Sequence, residues 1–123
     1  MPLTTVSAGE GFWVNAKTAL TAQLSEATPL LSSAFPGRLQ NHWNLVAIGD
    51  KKTPREFNNA LGSGASGNFI SLWAWNSVSK NWYFYAPSLD SDGTLSNVLA
   101  SKGYLSFGLS VLTPTTGFWV NKP

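Results

Sequence analysis

Trp73, Trp75, Tyr83 and Tyr85 stand at alternate positions in two short apolar runs, Phe69–Trp75 and Trp82–Ala86. Alternate residues of an extended strand share a face, so each pair of rings lies roughly 6.5–7 Å apart. That spacing suits a sugar chain. The axial hydrogens of a β-linked glucopyranose form an apolar face that stacks on an aromatic ring. Its equatorial hydroxyls then reach polar side chains at the ring edges, for which Asn76, Asn81 and Asn121 are the candidates. Stiff, wide rings lose little conformational entropy when they are immobilised. Each stacked ring contributes on the order of 1–2 kcal/mol by burial, so two or three give the weak binding of a targeting module. The chain holds six Trp, three Tyr and seven Phe in 123 residues. A core of this size cannot enclose six indoles, each bulky and each with an N–H that wants a partner. Some are therefore exposed, and exposed aromatics in quantity mark a binding surface.

Other chemistries find little support. His42 is the only histidine, and no G-x-S-x-G segment accompanies it, so a Ser-His-Asp triad is not indicated. Cysteine is absent, which removes disulfides and thiolate metal sites. The six carboxylates are scattered beside turn residues, with no pair placed to face across a cleft as a glycosidase requires. Asp90-Ser91-Asp92-Gly93-Thr94 resembles the start of a calcium loop, but position 12 is Ser101 where the EF-hand needs Glu. A polar turn is the plainer reading, with a different calcium geometry at Asp90 and Asp92 left open. Gly62–Gly67 lacks the Lys of a phosphate loop. No cofactor is expected. The net charge is +2 from only 11% charged residues, and no basic run extends beyond Lys51-Lys52, so nucleic acid is not an expected partner. Nor is a membrane, since no transmembrane stretch is present. The surface must be largely Ser, Thr, Asn and Gly, a neutral polar covering that suits a secreted domain among polysaccharides.

These residues need strands to hold them. Short apolar runs punctuated by Gly, Ser, Thr and Asn predict strands at Gly11–Asn15, Trp43–Ile48, Phe69–Trp75, Trp82–Ala86, Tyr104–Val111 and Gly117–Asn121. Six antiparallel strands predict an all-β chain, a two-sheet antiparallel β-sandwich with at most one or two short helices; a closed barrel is second. One helix is expected after Thr53, with Pro54 at N1 and Glu56 completing a capping box. Thr18–Glu26 reads as a helical turn or a linker, and Leu61–Asn68 as a flexible connection. The central hairpin has two registers. Ile70, Leu72 and Ala74 form an aliphatic face, opposite Ser71, Trp73 and Trp75. Phe84 lacks the hydroxyl of Tyr83 and Tyr85, which makes it the better core residue, and Trp82 follows it inward. An odd-numbered loop then gathers Trp73, Trp75, Tyr83 and Tyr85 on the outer face. An even loop instead sets Trp75 opposite Trp82 and divides the cluster. Trp43, followed by Leu45, Val46 and Ile48, is expected in the core.

Gly11-Phe12-Trp13-Val14-Asn15 recurs letter for letter as Gly117-Phe118-Trp119-Val120-Asn121. In a strand, Phe and Val face one way, Trp and Asn the other, so Trp13 and Trp119 are expected to extend the aromatic surface. The two copies are either equivalent strands of one domain, residues 1–123, or residues 1–17 are the tail of a preceding repeat unit. Together with Trp43-Asn44-Leu45-Val46 and Leu72-Trp73-Ala74-Trp75-Asn76, the second copy resembles a repeat of bacterial extracellular proteins. The aromatic density also resembles a carbohydrate-binding module of a secreted bacterial endoglucanase. That resemblance implies a flat aromatic platform for cellulose or another β-1,4-glucan, an attached catalytic domain, an extracellular location and no catalysis in this chain. The alternative is a structural or adhesive repeat of a bacterial surface protein whose aromatics pack against other protein surfaces.

Overall fold

Thr53-Pro54-Arg55-Glu56 starts a helix as its sequence requires. The computed structural model describes residues 4–21, 28–62 and 67–123. In it, α1 spans Pro54–Leu61, the Glu56 N–H donates to Thr53 Oγ1 at 3.2 Å, and the Thr53 N–H donates to Glu56 Oε2 at 2.7 Å. Phe57, one turn in, is fully buried. Its ring meets Phe35, Phe69 and Phe118 at centroid distances of 5.8, 6.0 and 5.3 Å. A 3₁₀ turn at Ser32–Ala34 is tied in by Asp50, which accepts from the Ser32 N–H and hydroxyl at 2.9 and 2.6 Å.

The strands are β1 (His42–Val46), β2 (Ser71–Asn76), β3 (Asn81–Tyr85), β4 (Leu105–Ser106) and β5 (Phe118–Lys122). They form one five-stranded sheet in the order β1-β5-β2-β3-β4. All neighbours are antiparallel except β3 and β4, which run parallel. A parallel pair needs a long crossover, and residues 86–104 supply it as two helices. Pro87 follows β3 by two residues and is the first residue of α2 (Pro87–Ser91). In α3 (Leu95–Lys102), Gly103 at φ 73° donates its N–H to the Leu99 carbonyl and closes the helix. The chain is thus sheet-rich, but among the described residues it has a single mixed sheet and three α-helices, where two packed sheets with at most one or two helices were expected. The strand expected over Tyr104–Val111 shrinks to β4, and just beyond that range Leu112 makes an isolated bridge to Lys52.

One face of the sheet carries the main core. Val46, Leu72, Ala74, Tyr85, Phe118 and Val120 pack there against Phe35, Leu39, Ile48, Phe57, Phe69, Phe107 and Leu112. On the other face, α3 lays Leu99 on Phe84 and Ala86 and covers only the β3 side. The N-terminal pentapeptide forms no strand. Gly11 N–H donates to the Leu45 carbonyl at 3.1 Å and Ala47 N–H to that of Gly9 at 3.0 Å, which holds residues 9–11 on the outer edge of β1. No helix among the described residues is long and apolar enough to cross a membrane. The expectations for Thr18–Glu26 and Leu61–Asn68 fall partly on residues 22–27 and 63–66, outside the described ones.

Candidate functional site

The registers decide which rings share a face. Trp43 is paired with Asn121, Leu45 with Trp119, Trp73 with both Trp119 and Phe84, and Trp75 with Trp82. Residues opposite each other on neighbouring strands point to the same side. Five of the six tryptophans therefore lie on the face away from the main core. The sixth, Trp13, comes over that face from the N-terminal segment and meets Trp82 edge-on at 6.0 Å. Its path is tight at Gly11, where a Cβ would stand 2.9 Å from Leu45 Cγ, and Gly117 lies beside it, with a Cβ there 3.9 Å from the Gly11 Cα.

Trp43, Trp73, Trp82, Trp119 and Tyr104 line a cleft of about 530 Å³ on this face. The rings are not coplanar. Trp43 and Trp119 meet at 87°, Trp73 and Trp82 at 90°, and Trp73 and Tyr104 at 82°. The arrangement is a walled cleft, not the flat platform expected. Along the sheet, Asn121 stands opposite Ser71, and both share the face with Trp43, Trp119 and Trp73. The Trp73 indole N–H donates to Ser71 Oγ at 2.9 Å, which fixes that ring on a buried serine. The Asn121 carboxamide has no side-chain hydrogen bond among the described residues. Trp43 is 55% exposed, the opposite of the expected core position. Alternation explains this: Asn44 and Val46 point to the main core side, and the Asn44 carboxamide is bound to Gln40 at 2.8 Å.

The hairpin takes the even register, so the expected quartet is divided. Trp73 and Trp75 lie on the cleft face, where Trp75 touches Trp82 at 5.0 Å. Tyr83 and Tyr85 point into the main core. There Tyr83 packs on Phe107 at 5.1 Å and accepts from the Asn76 amide at 3.0 Å. Tyr85 donates to Asp90 at 2.8 Å. Burial, and then the Asp90 carboxylate beside it, pushes the Tyr85 hydroxyl above the ordinary phenol range. Phenols can be buried when they have partners, and those partners were not visible in the local pattern. Asn76 accepts from the Val78 and Ser79 amides at 3.0 Å each and holds the turn. Asn81 donates to the Gly103 carbonyl at 2.8 Å. Of the three asparagines singled out, only Asn121 faces the cleft. Trp43, Trp82 and Tyr104 are lining residues that the sequence reading placed elsewhere or passed over. The one signal that could have found Trp82 was the even-loop register.

Among the described residues, no carboxylate lines the cleft. Asp90 is occupied by Arg55, at 2.8 and 2.6 Å, and by Tyr85, and the Arg55 hydrogen bonds hold its carboxyl below the usual range. Asp92 is bound to the Thr94 amide and hydroxyl. No group of three or more His, Cys, Asp or Glu comes together among the described residues. The site thus offers apolar rings and the Tyr104 hydroxyl, with the Asn121 carboxamide on the same side of the sheet: stacking and neutral hydrogen bonding. No family model, no curated protein and no solved structure matches the chain.

Proposed function

We propose that the tryptophan face is a non-catalytic binding site for a β-linked glucan, and that the chain is a targeting module of a secreted glycoside hydrolase. The observation that carries this is the gathering of Trp43, Trp73, Trp82, Trp119 and Tyr104 around one cleft, with Asn121 on the same side of the sheet. Stacking surfaces bound a pocket of ligand size, and the Tyr104 hydroxyl and Asn121 carboxamide are the polar groups available to meet sugar hydroxyls. The perpendicular walls suit a single glucan chain entering a cleft better than a crystalline surface lying on a plane.

The test is a tryptophan-fluorescence titration with cello-oligosaccharides and a soluble β-glucan, with an α-glucan as control. A saturable shift with the β-linked ligands alone is expected. Trp119→Ala and Trp43→Ala should each weaken binding by about 5- to 30-fold, the equivalent of about 1–2 kcal/mol, while Tyr83→Ala should act on stability instead. No response to any glucan would overturn the assignment. One observation favours a second reading, a repeat that docks on other protein surfaces: Phe12, Trp13 and Val14 are 40%, 55% and 60% exposed, and Trp13 stands against Trp82. In that case the chain should self-associate on concentration and be dispersed by Trp13→Ala, with glucan having no effect.

A further inference from the structure

The duplicated pentapeptide has two different structural fates. Phe118 and Val120 of the second copy are 1% and 0% exposed in β5, between β1 and β2. Trp119 and Asn121, on the other side of that strand, face the cleft. The first copy forms no strand, and its Phe12 and Val14 are largely exposed. Yet all five letters are shared. A segment kept only to lie over the sheet edge would need neither the inward pair, Phe and Val, nor the outward pair, Trp and Asn. Identity on both sides is what a strand needs if it is to fill the β5 position: Phe12 and Val14 would reproduce the core packing, and Trp13 and Asn15 the cleft.

The geometry points to Gly11–Asn15 as a second occupant of the β5 position, and we propose that it can take that position in its own chain and release Gly117–Asn121. Direction agrees, since residues 9–11 already run antiparallel to β1, as β5 does. Distance agrees as well. The first copy begins beside the β5 segment, since a Cβ on Gly117 would stand 3.9 Å from the Gly11 Cα. The fourteen residues Ala16–Pro29 separate it from the core packing that begins at Leu30. At full extension they reach about 45 Å. Four of the five side chains that leave the sheet, Phe118–Asn121, are replaced by identical ones, and Lys122 alone by a different residue, Ala16. The released C-terminal strand carries an apolar Phe-Val edge and an unpaired backbone, the form in which a strand completes a neighbouring unit by sheet addition.

Three variants of the full chain test this. Val14→Glu alone should leave the thermal midpoint within about 2 °C of wild type, as an exposed position does. Val120→Glu should remain a cooperative monomer with its midpoint lowered by less than about 10 °C, because the first copy replaces the damaged strand. Methyl signals of Val14 should then contact Leu72, which Val120 contacts in the wild type by its pairing in β5. The double variant should show no cooperative transition. Non-additivity of this size is the signature of two segments sharing one position. An unfolded Val120→Glu chain would overturn the proposal. So would a double variant as stable as Val120→Glu, which would mean that β5 accepts the carboxylate without leaving the sheet. A folded but dimeric Val120→Glu chain would overturn the placement within one chain. None of these readouts involves a sugar, so failure of the glucan titration leaves the test intact.

Discussion

Tyr85 shows why single residues misled the reading of the hairpin. Its phenol argued for an outward position as long as the local pattern was considered alone. In the fold it is 7% exposed and donates to Asp90, which Arg55 grips with two nitrogens. Asp90 lies on α2, an element that the turn-like letters Ser-Leu-Asp-Ser-Asp-Gly concealed, so the partner that makes burial acceptable could not be foreseen. Tyr83 with Asn76 repeats the lesson. The placing of the indoles was legible: Trp73, Trp75 and Trp119 are on the expected face, and Trp13 stands over it. The same triad gives a pH prediction. The folded-state carboxyl of Asp90 titrates below its ordinary value, chiefly because of Arg55. Its contribution is therefore present above about pH 4 and lost as pH falls through the lowered value. Urea midpoints should fall between about pH 4 and pH 2 more steeply in wild type than in Asp90→Asn. Tyr85→Phe should cost about 1 kcal/mol at neutral pH through the lost hydrogen bond. Parallel acid limbs in wild type and Asp90→Asn would show that Asp90 does not carry the effect.

Elements were legible where a local rule fixes them. The capping box of Thr53 and Glu56 needs four consecutive residues and nothing else, and α1 starts where those letters place it. Strands β1, β2, β3 and β5 follow their apolar runs to within two residues at either end. The crossover of α2 and α3 was not legible, because Leu95, Val98 and Leu99 become an apolar face only against Phe84 of β3 and Ala86 just after it. A parallel partner for β3 also cannot be inferred from a two-residue strand. This crossover matters to the site, since it brings in Tyr104 as one wall: the Tyr104 ring stands 4.9 Å from Trp73. Leu99→Ala, at 8% exposure, should destabilise by about 2–4 kcal/mol and weaken glucan binding as the wall loosens. Thr53→Ala is the matched control. It should cost about 1 kcal/mol of stability through the lost cap and leave binding unchanged, because α1 packs on the opposite face. Equal effects of the two on binding would show that loss of global stability, not the wall, is responsible.

At the scale of the whole molecule, composition and site agree. With 11% charged residues and a net charge of +2, the chain has almost no long-range field, and the five rings that line the cleft are uncharged. Such a surface neither attracts nor orients an ionic ligand, and any partner it holds must be recognised at contact by stacking and neutral hydrogen bonds. Electrostatic contributions of exposed charges fade with ionic strength, over about 10 Å at 0.1 M, whereas burial of apolar surface does not. The two ligand classes therefore separate by a simple measurement. If the ligand is a neutral glucan, its dissociation constant should change by less than about 2-fold between about 50 mM and 500 mM sodium chloride. If the cleft instead serves an acidic polysaccharide or a charged protein, affinity should fall steeply over that range. Sulfate separates the two further. As an ion excluded from protein surfaces it strengthens apolar burial, so ammonium sulfate should tighten glucan binding where sodium chloride leaves it level. Weakening by both salts would place the principal contacts outside the tryptophan face, at charged side chains beyond its margins.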